Sequence, residues 1–253
     1  MNEFEGMTAF LTGAAGGIGL AVAKALLREG ARVFATDVSV DRLAELACDD
    51  LWACSLDVTT SAEVNRVIDE IAARSGGIDL GVNIAGVLST ATVLETSDAE
   101  WERVFAVNST GVLHVSRALA RHMVPRRKGS IVTVSSNAAG IPRKNMAAYA
   151  ASKAAATMFT RCLGLELAEH GIRCNIVAPG STLTSMQTGM WSDKSGGERV
   201  IEGSLENFKT GIPLRKLATP EDIANSVLFL LSEKAAHITM ADIYVDGGAT
   251  LHA

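Results

Sequence analysis

Short apolar runs, rich in β-branched residues, recur along the chain at intervals filled by helical patterning. MTAFLT (7–12), ARVFATD (31–37), LWACSLD (51–57), IDLGVN (78–83), GSIVTVSS (129–136) and IRCNIVAP (172–179) are nearly continuous in apolar character, and DIYVDGG (242–248) adds a seventh. Strands that are apolar on both sides are buried on both sides, which predicts a parallel sheet covered by helices on each face. Helix starts are legible as well. TSAE (Thr60–Glu63) and SDAE (Ser97–Glu100) have the capping-box form. TPED (Thr219–Asp222) offers a Thr cap, a proline at the first helical position and two acids facing the positive helix end. Long helices with broad apolar faces are predicted around 98–124 and 147–170. No linker, repeat or low-complexity tract divides the sequence, so residues 1–253 read as a single doubly wound α/β domain with a seven-stranded parallel sheet. The segment 185–210 is polar, glycine-containing and only partly periodic, which predicts a mobile lid.

Composition narrows the function classes. At 253 residues, 48% hydrophobic and 20% charged, the chain can bury a sizeable core. A net charge of −5 offers no basic face for nucleic acid or an anionic membrane, and RRK at Arg126–Lys128 reads as a solvated loop. The N-terminus is acidic and does not read as a signal peptide, and no apolar run approaches the ~18 residues of a membrane span. The four cysteines (Cys48, Cys54, Cys162, Cys174) lack metal or CxxC spacing and read as reduced core residues of a cytoplasmic protein. The five histidines show no HxxxH or HxH pair, so no metal site is expected.

Candidate chemistry begins at the first strand-to-helix turn. Gly13, Gly17 and Gly19 have GxxxGxG spacing between a strand and a helix, a turn without side chains where backbone can approach a pyrophosphate at a helix N-terminus. This is the Rossmann-type arrangement. Asp37 closes the second strand, where a carboxylate accepts hydrogen bonds from a ribose diol and repels a 2′-phosphate. No Lys or Arg lies in the turn or directly follows Asp37, which favours NAD over NADP. Farther along, Tyr149 and Lys153 stand four apart in an alanine-rich helix and share one face. Taken alone, that pair reads more plainly as a snorkelling lysine beside a half-buried tyrosine.

TGAAGGIG (12–19), NIAG (83–86), an Asn in VNSTG, a Ser and YxxxK, in this order, resemble the short-chain dehydrogenase/reductase family over essentially the whole chain. The resemblance implies that Gly13, Gly17, Ile18 and Gly19 hold a dinucleotide. It puts Asp57 of LDV (56–58) on the adenine amino group beside Val58, and gives Asn83, Ala85 and Gly86 a place at the cofactor. Ile84 replaces the family's second Asn there, and Gly81 in the preceding strand is expected to loosen local packing. PGSTLT (179–184) is similar to the loop that contacts the nicotinamide amide, through Pro179, Gly180, Thr182 and Thr184. Tyr149 is then the general base for an alcohol proton. Lys153 is its electrostatic partner and a holder of the ribose hydroxyls, and Ser136 hydrogen-bonds the substrate oxygen. A lysine ammonium roughly 5 Å away contributes about 3 kcal/mol at an effective dielectric near 20, enough to bring a phenol from about 10 to about 8. Asn108 would hold a water linking Lys153 to solvent; a purely structural Asn is its alternative.

RCNIVAPGSTLTSMQ, GIPLRKLATPEDIANSVLFL, AAHITMADIYVDGGATL and IPRKNMAAY resemble the branch of the family that oxidises 2,3-dihydro-2,3-dihydroxybenzoate. That resemblance implies NAD-dependent oxidation of an allylic alcohol, aromatisation to a catechol, and a homotetramer built on the two long helices. A carboxylated cyclic diol calls for a cation, and Arg143 can grip a carboxylate in bidentate fashion; position alone reads rather as an exposed Arg143–Lys144 pair, and the resemblance favours the grip. Met186 and Gln187 follow the nicotinamide loop and could line the pocket; Met186, like Trp191, is open between pocket and lid packing. Three alternatives stand: a dehydrogenase of a related ring such as 2,3-dihydro-3-hydroxyanthranilate, an oxoacyl reductase, which would want NADPH against Asp37, and a non-catalytic dinucleotide sensor.

Overall fold

In the computed structural model, which describes residues 2–251, the apolar runs become β1 (Thr8–Thr12), β2 (Arg32–Asp37), β3 (Leu51–Ser55), β4 (Leu80–Asn83), β5 (Gly129–Val134), β6 (Ile172–Pro179) and β7 (Asp242–Val245). The helices are α1 (Gly17–Arg28), α2 (Ser61–Ser75), α3 (Asp98–Phe105), α4 (Gly111–Arg126), α5 (Ala147–Leu167), α6 (Ser185–Thr188), α7 (Gly196–Glu202) and α8 (Pro220–Leu231). The strands pair in parallel in the order β3-β2-β1-β4-β5-β6-β7. Strand order reverses between β1 and β4, where Thr12 and Asn83 are register partners. A doubly wound sheet opens a crevice beyond the carboxyl ends of such a strand pair.

Neighbouring residues of one strand enter opposite layers. Leu11 packs among Val22 and Leu26 of α1 and Val227 of α8, while Phe10 packs among Ile68 of α2, Leu119 of α4 and Leu163 of α5. Each fully buried Leu, Ile or Phe of this kind stabilises the fold by about 1.5–3 kcal/mol.

Several local expectations change. The long helix predicted over 98–124 is α3 and α4 joined by a π-helical turn, Ala106–Thr110, and the one over 147–170 is α5 with a 3₁₀ turn to His170. Only one of the three capping sequences closes fully. Thr219 accepts from Asp222 N while the Asp222 carboxylate accepts from Thr219 N at 2.8 Å. Ser97 accepts from Glu100 N, but Glu100 turns outward to grip Arg103, and Thr60 makes no side-chain cap at all.

RRK is not a solvated loop. Arg126 and Lys128 reach the buried Asp79 carboxylate at 2.7 and 3.1 Å, and Arg126 also donates to Ile78 O. Gly81 tightens packing rather than loosening it, because a Cβ there would lie 2.5 Å from Leu119 Cδ1. The cysteines are free, but only Cys174 is buried; Cys54 is half-buried, and Cys48 and Cys162 are exposed. Among the described residues no helix is long and apolar enough to cross a membrane, and no cluster of metal-ligating side chains forms.

Candidate active site

The glycine turn after β1 is built by close approach. Gly13 takes a positive φ of 65°, and a Cβ on it would sit 2.5 Å from Ala85 N. A Cβ on Gly17 would meet the Thr184 methyl at 2.8 Å, and one on Gly19 would run into Gly13 O. Thr12 accepts from Ile84 N and Ala85 N through its hydroxyl, tying NIAG to this turn. The α1 N-terminus carries no side-chain cap and no acid in its first turn. Such a bare N-terminus beside a side-chain-free cradle fits a pyrophosphate.

At the end of β2, Asp37 Oδ2 accepts from Ala15 N at 3.0 Å and Oδ1 from Ser39 N at 3.5 Å. Arg42 donates to Ala15 O at 2.9 Å, a cation beside Asp37 that inspection of the turn and of the residue after Asp37 does not reveal. Asp57 is exposed and its Oδ1 accepts from the Thr59 amide and hydroxyl, leaving the other oxygen for an adenine amino group. Val58 is buried, its carbonyl meets His114 Nδ1 at 3.0 Å, and it lies where a Cβ on Gly111 would be.

Asn83 departs from the expectation. Its amide donates to Ser116 at 2.9 Å and Thr133 at 3.3 Å, while its Oδ1 is buried without a partner. The side chain therefore braces β4 against α4 and β5; Ile84 and Gly86 line the crevice, while Ala85 does not and is instead held against the glycine turn through Thr12. Asn108 is fully buried in the π turn, with Oδ1 accepting from Val87 N and Nδ2 donating to Val87 O and Ser152. A Cβ on Gly86 would lie 3.3 Å from both Asn108 Oδ1 and Lys153 Nζ, so Asn108 stands beside the ammonium.

Ser136, Tyr149 and Lys153 line one cleft of about 220 Å³. The three are 8%, 9% and 5% exposed, which makes charge on Tyr149 or Lys153 expensive. Lys153 Nζ donates to Val134 O at 2.9 Å and lies 6.0 Å from the Tyr149 ring centre. Burial pulls the Lys153 ammonium down to about 8. Burial pushes the Tyr149 phenol up, and its hydrogen bond with Ser136 opposes this only in part. The direction expected for Tyr149 from its lysine is thus reversed in the chain alone. The cost of burying a phenolate exceeds what the Ser136 hydrogen bond returns, so desolvation sets the direction.

Ile18, Gly86, Pro179, Gly180, Thr182 and Thr184 border the same cleft. Gly180 is held by Val245 O at 3.0 Å, and Thr184 caps α6 by accepting from Gln187 N. Arg143, Met186 and Gln187 also reach it, from the β5–α5 connection and from α6. Burial lowers the half-buried Arg143 guanidinium, with the charge of Asp246 opposing. Trp191 does not line the cleft; its indole packs on Gly196 and Gly197 under α7. Met190 and Lys209 do line it, and sequence reading missed both because nothing in their spacing distinguishes them from the rest of the polar segment.

A dinucleotide cradle and a Ser–Tyr–Lys cleft on one doubly wound sheet define a nicotinamide-dependent oxidoreductase. Residues 13–250 match a family model described as enoyl-(acyl carrier protein) reductase. A solved structure described as a short chain dehydrogenase/reductase family protein is 33% identical, with a TM-score of 0.85 over 99% of this chain and 100% of that one. The chain belongs to the short-chain dehydrogenase/reductase family. It is 55% identical to the 2,3-dihydro-2,3-dihydroxybenzoate dehydrogenase of Bacillus subtilis (strain 168), over 98% of this chain and 97% of the relative. It is 44% identical to the vibriobactin-specific 2,3-dihydro-2,3-dihydroxybenzoate dehydrogenase of Vibrio cholerae, over 95% of each.

Proposed function

We propose that this chain oxidises 2,3-dihydro-2,3-dihydroxybenzoate with NAD⁺ and so yields 2,3-dihydroxybenzoate. The observation that carries the reading is the cleft itself: Ser136, Tyr149 and Lys153 share it with the cationic Arg143, and no Asp or Glu lines it among the described residues. The relatives are named for dehydrogenation of this diol, and an acid-free cleft with a guanidinium suits its carboxylate.

Bound NAD⁺ supplies the hydride acceptor. The chain does the rest. Gly13, Gly17, Ile18 and Gly19 hold the pyrophosphate and Asp37 the ribose diol, with Asp57 and Val58 at the adenine. Lys153 orients the second ribose, and Pro179, Gly180, Thr182 and Thr184 fix the nicotinamide. Tyr149 accepts the proton of the allylic hydroxyl as the C–H hydride leaves, and Ser136 holds the same oxygen as it becomes a ketone. The enone then tautomerises to the catechol, whose aromaticity makes oxidation the favoured direction. Asn108, hydrogen-bonded to Val87 and Ser152 beside Lys153, keeps the ammonium in place and carries its water link to solvent. Arg143 takes the carboxylate, with Met186 and Gln187 along the ring, and the 185–210 segment closes over them as a lid.

Exposed Trp101, Met158 and Leu165 on α3 and α5 support a homotetramer, and the free cysteines support a cytoplasmic location. The test is NADH formation from NAD⁺ and the diol, read by absorbance, with the 3-amino analogue and NADP⁺ in parallel. Turnover of the diol with NAD⁺, reduced by at least ~10³-fold in Tyr149→Phe that still binds NADH, is the expected result. Turnover of the amino analogue alone would replace the substrate, and NADH binding without turnover of either would leave a dinucleotide sensor.

A further inference from the structure

We propose that Lys209 is a second cation for the substrate carboxylate, working with Arg143 as a two-sided clamp that is completed by the lid. This rests on the reading above of a carboxylated cyclic diol. The two side chains come from separate segments, Arg143 from the β5–α5 connection and Lys209 from the hairpin that follows α7, yet both line the one cleft.

The hairpin fixes the backbone of Lys209, whose side chain stays exposed at the cleft mouth. Ser204 and Lys209 exchange reciprocal backbone hydrogen bonds, each of 2.9 Å. Gly203 (φ 90°) and Gly211 (φ 80°) pinch its base, where a Cβ on either would lie 2.5 Å from the facing backbone. Ile212 N closes the pinch onto Ile201 O at 2.9 Å.

Charge in the cleft points the same way. No ion pair or hydrogen bond reaches the side chain of Arg143 or Lys209 among the described residues, and no acid lines the cleft. The field of Asp246 reaches Arg143, but that carboxylate is already committed to Gly248 N, Thr250 N and Asn137 Nδ2. Partial desolvation at the cleft mouth, and then the Arg143 charge, lower the Lys209 ammonium. Two cations without a direct ion-pair partner, close enough to feel each other, in a protein with five more acids than bases, suit an anion. A single Arg can grip a carboxylate bidentately from one edge; an added ammonium from the lid ties closure to the presence of the carboxylate.

The test is calorimetric binding of 2,3-dihydroxybenzoate and of catechol to the full chain with NADH bound, for wild type, Lys209→Met and Lys209→Arg. Wild type should prefer the carboxylated ligand. Lys209→Met should lose about five- to tenfold of that preference with catechol and NADH affinities unchanged, and Lys209→Arg should keep it. In turnover the same Lys209→Met loss should fall on KM for the diol, with kcat close to wild type. An unchanged preference in Lys209→Met, equal weakening of both ligands, or no preference in wild type would each overturn the clamp. Failure of the underlying reading shows separately, as wild-type protein that makes no NADH from the diol.

Discussion

At the scale of single residues, the site is governed by desolvation more than by pairwise attraction. Tyr149 and Lys153 share a helical face, as their spacing requires, but both are buried, and each is pushed toward its neutral form. Sequence spacing carries the geometry of that pair without its dielectric, and so it misjudges the sign of the tyrosine shift. Asp37 stands at the end of β2, as its place in the sequence implies. What its position could not reveal is Arg42, folded back onto Ala15 O beside it. A 2′-phosphate would therefore meet one repelling carboxylate and one attracting guanidinium. Asp37→Ala is expected to raise the ratio of kcat/KM for NADP⁺ over NAD⁺ by roughly 10- to 100-fold, most of the change arising from the removed like charge. Initial rates with both cofactors check this, and an unmoved ratio would show that Asp37 does not face the ribose.

At the scale of elements, the apolar runs made all seven strands legible, because a strand buried on both faces leaves little choice of residue. The helix ends and linkers were less so. The π turn at Ala106–Thr110 leaves no mark in the hydrophobic period, since it is held by Asn108 reaching across to Val87 and Ser152. RRK looked solvated because its acid, Asp79, is a partner from a different strand-to-helix unit, and Arg and Lys bury their stems while their charged heads pair. For Asp79, burial alone would raise the carboxyl, but the Thr8 amide, Arg126 and Lys128 outweigh it and hold it below its usual range. A carboxyl with a lowered folded value stabilises the fold above its unfolded value and loses that contribution as pH falls through the folded one. Asp79→Asn should thus cost about 2 kcal/mol near neutrality and progressively less below about pH 4. Denaturant unfolding of both proteins across that range tests this; a constant difference at all pH values would remove the ion pair from the account.

At the scale of the whole molecule, one topological feature assembles the site. Strand order reverses between β1 and β4, which brings the glycine turn, NIAG and, by way of β5 and β6, Ser136 and the Pro179–Thr184 loop to one crevice. The glycine turn was legible because close backbone approach demands glycine at fixed spacing. The substrate half was only partly so: Arg143, Met186 and Gln187 reach the cleft as expected, whereas Met190 and Lys209 arrive from a segment whose fold is set by glycine pinches and by Trp191 packing rather than by periodicity. The central claim is that this cleft moves a hydride from the ring carbon bearing the allylic hydroxyl directly to the nicotinamide. The most direct measurement is turnover of the diol carrying deuterium at that carbon with unlabelled NAD⁺, followed by NMR of both products. The account predicts deuterium on the nicotinamide ring of NADH and none in the 2,3-dihydroxybenzoate. Deuterium released to solvent, or kept on the aromatic ring, would contradict it.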